Sequence, residues 1–247
     1  MDVGLTGKVA MVAGGSSGLG LAVAGALAAE GARVSLGARD SGRLADALAS
    51  LPGEGHIAEQ VDVRDQQAVA RWVDRTVAEC GGLHIAVVNA GGPPAGPARA
   101  FDLAAYRDAV ELSLLSQIGM AQAVLPHLVD AGWGRLLFIT SQSVKQPIPG
   151  LALSNTARVG VVGYVKSLVA DLGAGSITVN VLAPGSHDTP RLRQLHSGQP
   201  SAEGIPLGRV GRAEEFGAVA AFLASEQASF ITGAVIPVDG GQVRSLL

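Results

Sequence analysis

The composition of this chain describes a protein that can fold around a large apolar core. Its 247 residues are 48% hydrophobic and 16% charged, and the formal net charge is −3. These values exclude a disordered chain and argue against a protein that binds nucleic acid through its phosphates. The only cysteine, Cys80, can form neither an intramolecular disulfide nor a thiolate metal cluster, so we predict no metal site.

No segment has the pattern of a membrane span or a targeting signal. The apolar run that starts at Leu19 is closed by Glu30, short of the roughly 18 residues that a span needs. No basic region precedes this run. We therefore expect a soluble, cytoplasmic protein without a membrane partner.

Short apolar segments alternate with longer helical patterns along the chain. The predicted strands are residues 8–13, 32–36, 56–63, 83–89, 135–140, 176–182 and 234–238. The predicted helices are residues 19–30, 41–50, 65–80, 101–131 (one helix or a pair), 151–173 and 213–225. Such alternation indicates a parallel sheet with helices on both faces. We predict one doubly wound α/β domain over residues 1–247, with about seven parallel strands and a ligand site beyond their carboxyl ends.

One stretch, residues 191–207, has neither a strand nor a helix pattern. It contains Pro200, Gly204 and Pro206, which interrupt regular structure. We predict that it forms a mobile flap over the ligand site.

A glycine-rich turn follows the first predicted strand and opens the first helix. Residues 13–20 read Ala-Gly-Gly-Ser-Ser-Gly-Leu-Gly. Glycines in such a turn let a pyrophosphate approach the backbone and bind the free N–H groups of the helix start. This pattern predicts a dinucleotide-binding loop, whereas the alternative is a tight turn without a ligand. The residues expected to bind are Gly14, Ser16, Ser17, Gly18, Leu19 and Gly20.

Four further blocks follow the glycine cluster in a characteristic order: Asp62-Val63, Asn89-Ala90-Gly91, residues 184–189 and residues 238–241. With these blocks the chain resembles the classical short-chain dehydrogenases/reductases over about residues 6–241, and most closely the 3-oxoacyl-carrier-protein reductase-like subgroup. The resemblance implies a Rossmann-type fold and hydride transfer between a nicotinamide cofactor and a carbonyl or secondary alcohol of a small-molecule substrate. It also implies a homo-oligomer, either a tetramer or a dimer.

The same resemblance assigns cofactor contacts to these blocks. It implies that Asp62 and Val63 lie at the adenine and that residues 89–91 line the cofactor. It implies that residues 184–189 hold the nicotinamide amide, through Pro184, Gly185, His187 and Thr189.

The end of the second predicted strand bears on the choice of cofactor. An acidic residue there would bind a ribose 2′-hydroxyl and repel a 2′-phosphate, whereas a cation would attract the phosphate. Here Ala38 is followed by Arg39, and Asp40 beside it weakens the attraction. We predict NADP(H) rather than NAD(H).

The catalytic motif of the family is replaced in this chain. Members that this chain resembles use a Ser together with Tyr-x-x-x-Lys on one helix, often with an Asn upstream. Ser141 matches the serine, but Ser154 stands at the tyrosine position, Arg158 at the lysine position and Ser113 at the asparagine position.

This replacement does not depend on the alignment, because neither Tyr106 nor Tyr164 has a lysine four residues later. A serine hydroxyl is far less acidic than a phenol, whose pKa is about 10. Ser154 is therefore a poor general acid, and losing a positioned acid typically costs about 10²- to 10⁴-fold in rate. Arg158 keeps a permanent cation and can bind ribose hydroxyls.

Two further residues are candidates for a replacement proton donor. Lys145 lies on the loop that borders the family's substrate site, and His187 titrates in a suitable range. The alternatives are a surface lysine and a loop histidine whose ring faces solvent. The candidate catalytic residues are thus Ser141, Ser154, Arg158, Ser113 and Lys145.

Three functions remain open at this point. The first is an NADP(H)-dependent oxidoreductase with an atypical active site. The others are a cofactor-binding module without catalysis (a sensor or a hetero-oligomer subunit) and a non-redox biosynthetic enzyme. The intact cofactor blocks favour the first, as do the two prolines that stiffen residues 143–149 beside the substrate.

Overall fold

Seven parallel strands form the central sheet of this computed structural model, which describes residues 3–195 and 200–246. The strands are β1 (Val9–Ala13), β2 (Arg33–Ala38), β3 (Ile57–Gln60), β4 (Ile85–Val88), β5 (Gly134–Ile139), β6 (Ile177–Pro184) and β7 (Val235–Val238). Their order is β3-β2-β1-β4-β5-β6-β7, and every neighbouring pair is parallel. The predicted doubly wound sheet is confirmed, and its order reverses between β1 and β4, where such folds bind ligands.

Helices cover both faces of this sheet. They are α1 (Gly18–Ala29), α2 (Ser41–Ser50), α3 (Gln66–Cys80), α4 (Leu103–Val110), α5 (Ser116–Asp130), α6 (Ala152–Leu172), α7 (Pro190–Leu195) and α8 (Ala213–Ala224). Three of them begin at an aspartate whose carboxylate accepts backbone N–H groups of the first turn: Asp40, Asp65 and Asp102. These caps fix where α2, α3 and α4 begin, and therefore where the loops at the carboxyl edge of the sheet end.

The core is divided between the two faces because successive side chains of a strand point in opposite directions. In β1, Ala10 and Val12 face the layer of α1 and α8, whereas Met11 and Ala13 face the layer of α3, α5 and α6. Trp72 of α3 is fully buried in the second layer.

The segment predicted as one helix or a pair is a continuous helical run with a π-turn inside it. The π-turn, Glu111–Leu115, joins α4 to α5. α4 packs on α6, whereas α5 packs on α3 and the sheet. By length and composition alone this run, Leu103–Asp130, is apolar enough to cross a membrane. Within it, Met120, Val124 and Leu128 are fully buried against the sheet.

The short helix α7 lies where we expected irregular structure, so that expectation is wrong for residues 191–195, whereas the flap itself stays a prediction. Pro190 occupies the first helical position, which suits its fixed φ. The Thr189 hydroxyl accepts the Leu192 N–H at 3.3 Å and closes the first turn. Of the remaining flap residues, 196–199 lie outside the described part of the chain.

Candidate cofactor and substrate site

A cavity of about 690 Å³ opens beyond the carboxyl ends of the strands, at the reversal of strand order. Its volume falls within the roughly 300–1,000 Å³ of small-molecule sites. The structure brings together around it the residues expected to bind the cofactor: Gly14, Ser16, Ser17, Gly18, Leu19, Gly20, Arg39, Asp62, Val63, Asn89, Ala90, Gly91, Pro184, Gly185, His187 and Thr189. Ser141, Ser154 and Arg158 line the same cavity.

The glycine-rich turn forms a tight cradle at the cavity floor. Gly14 and Gly18 adopt left-handed φ values of 64° and 57°, which side chains rarely tolerate. A Cβ on Gly20 would overlap the Gly14 carbonyl oxygen. Asn89 holds the end of β1 because its Nδ2 donates to the Ala13 carbonyl at 3.2 Å. Because this turn is tight and its glycines put no side chains in the way, a pyrophosphate can approach its backbone N–H groups. These residues are therefore suited to hold a dinucleotide.

Two arginines flank the cavity after β2. Arg39 was expected here, and Arg43 in the first turn of α2 lines the cavity as well. The Asp40 carboxylate accepts the Arg43 backbone N–H at 3.0 Å and pairs with its guanidinium at 3.5 Å. The Asp40 carboxylate therefore both caps α2 and pairs with the Arg43 guanidinium. Arg43 was missed because its approach to the cavity follows from this cap and not from any motif.

Asp62 lies in the loop after β3 and is held by a neighbour. Arg64 donates to both of its carboxylate oxygens, with the shortest contact at 2.7 Å. This hydrogen bonding lowers the pKa of Asp62. The carboxylate is therefore ionised and oriented at neutral pH.

Arg158 ties together the ends of two strands. Nη1 donates to the carbonyls of Ile139 and Thr140 at 3.2 and 3.1 Å. Nη2 donates to the carbonyls of Ala90 and Gly91 at 3.3 and 3.2 Å. Because a guanidinium has two hydrogens on each Nη, these four acceptors engage all of them. We expected Arg158 to bind ribose hydroxyls of the cofactor. In the structure, the Nη groups of Arg158 bind backbone carbonyls of the protein instead.

The burial of Arg158 has an electrostatic consequence. Its side chain is 6% exposed. Burial, and to a smaller extent the charge of Arg191, lower the pKa of the Arg158 guanidinium to about 10. It is therefore still a cation at neutral pH.

Two hydroxyls lie beside this cation. Ser154 is in the first turn of α6, one helical turn before Arg158, and is 9% exposed. Ser141 follows β5, and its Oγ accepts the Ser143 backbone N–H at 3.1 Å. This contact uses one lone pair of the Ser141 oxygen and leaves its O–H able to donate to a ligand.

The other two candidate catalytic residues do not line the cavity. Ser113 is fully buried in the π-turn, and its hydroxyl donates to the Gly91 carbonyl at 3.4 Å. Its neighbour Leu112 lines the cavity instead. Lys145 is absent from the described lining, and its backbone carbonyl accepts the Ser245 hydroxyl at 3.3 Å.

His187 is anchored within the loop after β6. Its Nδ1–H donates to the Gly185 carbonyl at 3.2 Å, and its ring packs edge-on against Phe216 at 5.5 Å between centroids. Burial lowers the pKa of His187, which keeps the ring neutral at pH 7. The ring is buried rather than turned to solvent.

Sequence reasoning missed part of the cavity wall. The lining residues that were not predicted are mostly apolar, and four of them belong to α7. They are Gly92, Leu112, Leu151, Pro190, Arg191, Leu192 and Leu195. Leu192 and Leu195 are spaced three apart, as on one face of a helix, but a single such pair is too short a pattern to predict one. Within the described ranges, no cluster of three or more His, Cys, Asp or Glu side chains could hold a metal ion.

A doubly wound sheet with a glycine cradle at its switch point defines a dinucleotide-binding protein of the Rossmann type. Residues 13–242 match the family model described as enoyl-(acyl carrier protein) reductase. The chain belongs to the classical short-chain dehydrogenase/reductase family, whose members act on alcohol and carbonyl groups.

Relatives of similar length support this assignment. Cis-4-hydroxycyclohexanecarboxylate dehydrogenase from Sinomonas cyclohexanicum is 37% identical over 240 residues, which cover 95% of this chain and 96% of that protein. 3-Oxoacyl-[acyl-carrier-protein] reductase FabG from Pseudomonas aeruginosa is 35% identical over 248 residues, which cover 98% and 99% of the two chains.

A solved structure is similar over nearly the same length. It is an NADPH-bound short-chain oxidoreductase from Pseudomonas aeruginosa PAO1 that contains an atypical catalytic centre. The TM-score is 0.91 at 30% identity, and the match covers 96% of this chain and 97% of that one.

Proposed function

We propose that this protein is an NADP(H)-dependent oxidoreductase that transfers hydride to or from a carbonyl or secondary alcohol through an atypical active site. The observation that carries the proposal is that an intact dinucleotide cradle shares one cavity with Ser141, Ser154 and a buried cation. A cofactor bound in this cradle supplies or accepts the hydride.

The residues at the other end of the cavity support substrate chemistry. The Ser143 N–H holds the Ser141 oxygen in place, and the Ser141 O–H can donate to a substrate oxygen. Arg158 is fixed by its carbonyl contacts, so its positive charge requires no reorganisation to stabilise a developing alkoxide. The proton moves through Ser154 or through a water beside it.

The test of this function is hydride transfer by the purified protein. We expect turnover, followed by nicotinamide absorbance, on a panel of 3-oxoacyl thioesters, cyclic ketones and secondary alcohols that includes cis-4-hydroxycyclohexanecarboxylate. Ser141→Ala is expected to lower kcat by about 10²-fold, because it removes a positioned donor. NADPH binding without turnover on any member of the panel would refute the proposal.

A second function is favoured by one specific observation. The Nη groups of Arg158 are bound to backbone carbonyls, so the residue can be retained for folding alone. A cofactor-binding module without catalysis would keep the cradle and this contact set. The panel separates the two functions, because such a module binds NADPH and gives no turnover.

The preference for NADP(H) is supported by the two arginines after β2. Arg39→Asp is expected to weaken NADPH binding by about 10- to 100-fold, since a charge-assisted contact to the 2′-phosphate is lost and a repulsion is gained. NADH binding should stay equal or improve. Titration of both cofactors into each variant measures this.

The matched control for that experiment is Arg71→Asp, which makes the same change of charge on an exposed position of α3 away from the cavity. It should leave both affinities unchanged. Equal loss of NADPH and NADH binding in the Arg39 variant would contradict the proposed preference.

We also infer a cytoplasmic homo-oligomer, either a tetramer or a dimer. Support comes from exposed apolar side chains on three neighbouring helical segments. Leu103, Leu115 and Val159 are 64%, 46% and 50% exposed. A partner subunit that covered these side chains would remove them from water.

A further inference from the structure

Arg191, the second residue of α7, reaches across the cavity to the loop that follows β4. Its Nη2 donates to the Pro93 carbonyl at 2.6 Å, and Nη1 donates to Gln194 Oε1 at 3.1 Å. The guanidinium lies over Gly92, where a Cβ would come within 2.9 Å of Nη2. The group is therefore held in place by the protein before any ligand arrives, and it lines the cavity.

The charges along the cavity are unevenly distributed. Its described carboxylates are Asp40 and Asp62, on the loops after β2 and β3. Asp40 pairs with Arg43 of α2, and Asp62 pairs with Arg64 of its own loop. On the opposite side of the switch point, Arg158 and Arg191 line the cavity, and within the described chain neither forms an ion pair with a carboxylate.

These two cations share one short segment of backbone. Arg158 bonds the Gly91 carbonyl and Arg191 bonds the Pro93 carbonyl. Burial lowers the pKa of each guanidinium, and the charge of Arg191 also lowers the pKa of Arg158. Two partly desolvated like charges at one end of a cavity are costly without a counter-charge, and an anionic ligand would supply it.

Part of the lining of the cavity that Arg191 enters is apolar. Leu112, Leu151, Leu192 and Leu195 line the cavity together with it. A fixed guanidinium in a cavity that is partly lined by leucines suits a ligand with an apolar body and a carboxylate.

We propose that Arg191 binds a carboxylate of the substrate, so that the substrate class is an oxo acid or a hydroxy acid rather than a neutral ketone or alcohol. This inference rests on the proposed function. The cofactor pyrophosphate is an anion too, but it is served by the glycine turn after β1. Arg191 is fastened instead to the loop after β4, beyond Gly91, and the same loop pairs through Gly96 with Leu151 just before α6.

The test is a binding experiment on the NADPH-loaded protein. The probes are carboxylates of increasing size, from acetate to cyclohexanecarboxylate, each paired with its neutral amide and titrated by calorimetry. We expect at least one carboxylate to bind about 10- to 100-fold more tightly than its amide. Arg191→Met should abolish that preference, whereas Arg191→Lys, which keeps the charge, should retain part of it.

The matched control is Arg193→Met. Arg193 is on the same helix, is exposed and pairs with Asp188 at 2.8 Å, so its removal changes the net charge equally without touching the cavity. It should keep the carboxylate preference. If no carboxylate binds better than its amide in the native protein, or if the Met variants at 191 and 193 behave alike, the subsite does not exist.

A second arm separates the substrate from the cofactor. NADPH titrated into the Arg191→Met variant should bind within about 3-fold of the native affinity, well below the loss expected for a charged contact. A loss of about 10-fold or more, with the carboxylate preference intact, would overturn the proposal and assign the guanidinium to the pyrophosphate. Thermal unfolding of both 191 variants confirms that the titrations use folded protein.

Because binding needs no turnover, the inference and the proposed function fail separately. A protein that prefers carboxylates but transfers no hydride refutes the function alone. A protein that reduces neutral ketones and shows no carboxylate preference refutes the subsite alone.

Discussion

Arg158→Met is expected to destabilise the protein by about 3–5 kcal/mol, with or without cofactor, because removing the guanidinium leaves the buried carbonyls of Ile139, Thr140 and Ala90 without this donor. In a chain of this size that loss corresponds to a fall in Tm of about 6–20 °C. Urea unfolding of the cofactor-free protein measures the effect directly. A lysine at this position retains the charge, but its single ammonium cannot span both strand ends, so Arg158→Lys should be intermediate.

The control for this prediction is another arginine with several contacts. Arg75 pairs with Glu59 and Glu79 on the exposed side of α3, and surface ion pairs of this kind contribute little. Arg75→Met should therefore leave the unfolding midpoint nearly unchanged. If the Arg158→Met protein proved as stable as the native one and lost only NADPH affinity, the arginine would act at the ligand and not in the fold.

Gly20→Ala is expected to weaken NADPH binding by about 100-fold, because its Cβ would displace the Gly14 carbonyl and with it the turn that meets the pyrophosphate. The overpacked turn should also lower the free energy of unfolding by about 1–3 kcal/mol. Fluorescence titration with NADPH measures the first effect, and urea unfolding measures the second.

The same helix provides the comparison. Gly25 is also in α1, and a Cβ there meets nothing within 4 Å. Gly25→Ala should leave NADPH binding unchanged and raise stability by about 0.5–1 kcal/mol, since alanine is the better helix former. A Gly20→Ala protein that bound NADPH as well as the Gly25→Ala protein would show that the cradle tolerates the displacement.

The fold was predictable because its signals are local. Apolar strand segments set the sheet, and the glycine turn marked the cavity floor. The helix α7 was not predictable in the same way, because its six residues are fewer than the two turns over which an apolar period can be recognised. It is stabilised by Pro190 and the Thr189 hydroxyl, a capping contact rather than a periodic pattern.

The site was predictable only where a motif carries it. The family resemblance placed Ser154 and Arg158 on one helix, but not the four carbonyls that Arg158 binds, because those belong to residues 18 to 68 positions away. The position of Arg191 in the cavity could not be predicted from the sequence, because its contact with Pro93 spans 98 positions. Contacts of this length depend on the packed sheet and not on any short pattern.

The π-turn between α4 and α5 limits where residues can be deleted from this chain. Each residue of an α-helix turns the next by about 100°, so the additional residue of a π-turn rotates the helix before it relative to the helix after it. α4 can therefore face α6 while α5 faces α3 and the sheet. Deleting one residue between Glu111 and Leu115 would realign the two helices, and only one of them could keep its partner. Single-residue deletions should therefore be much rarer here in evolution than in the surface loops.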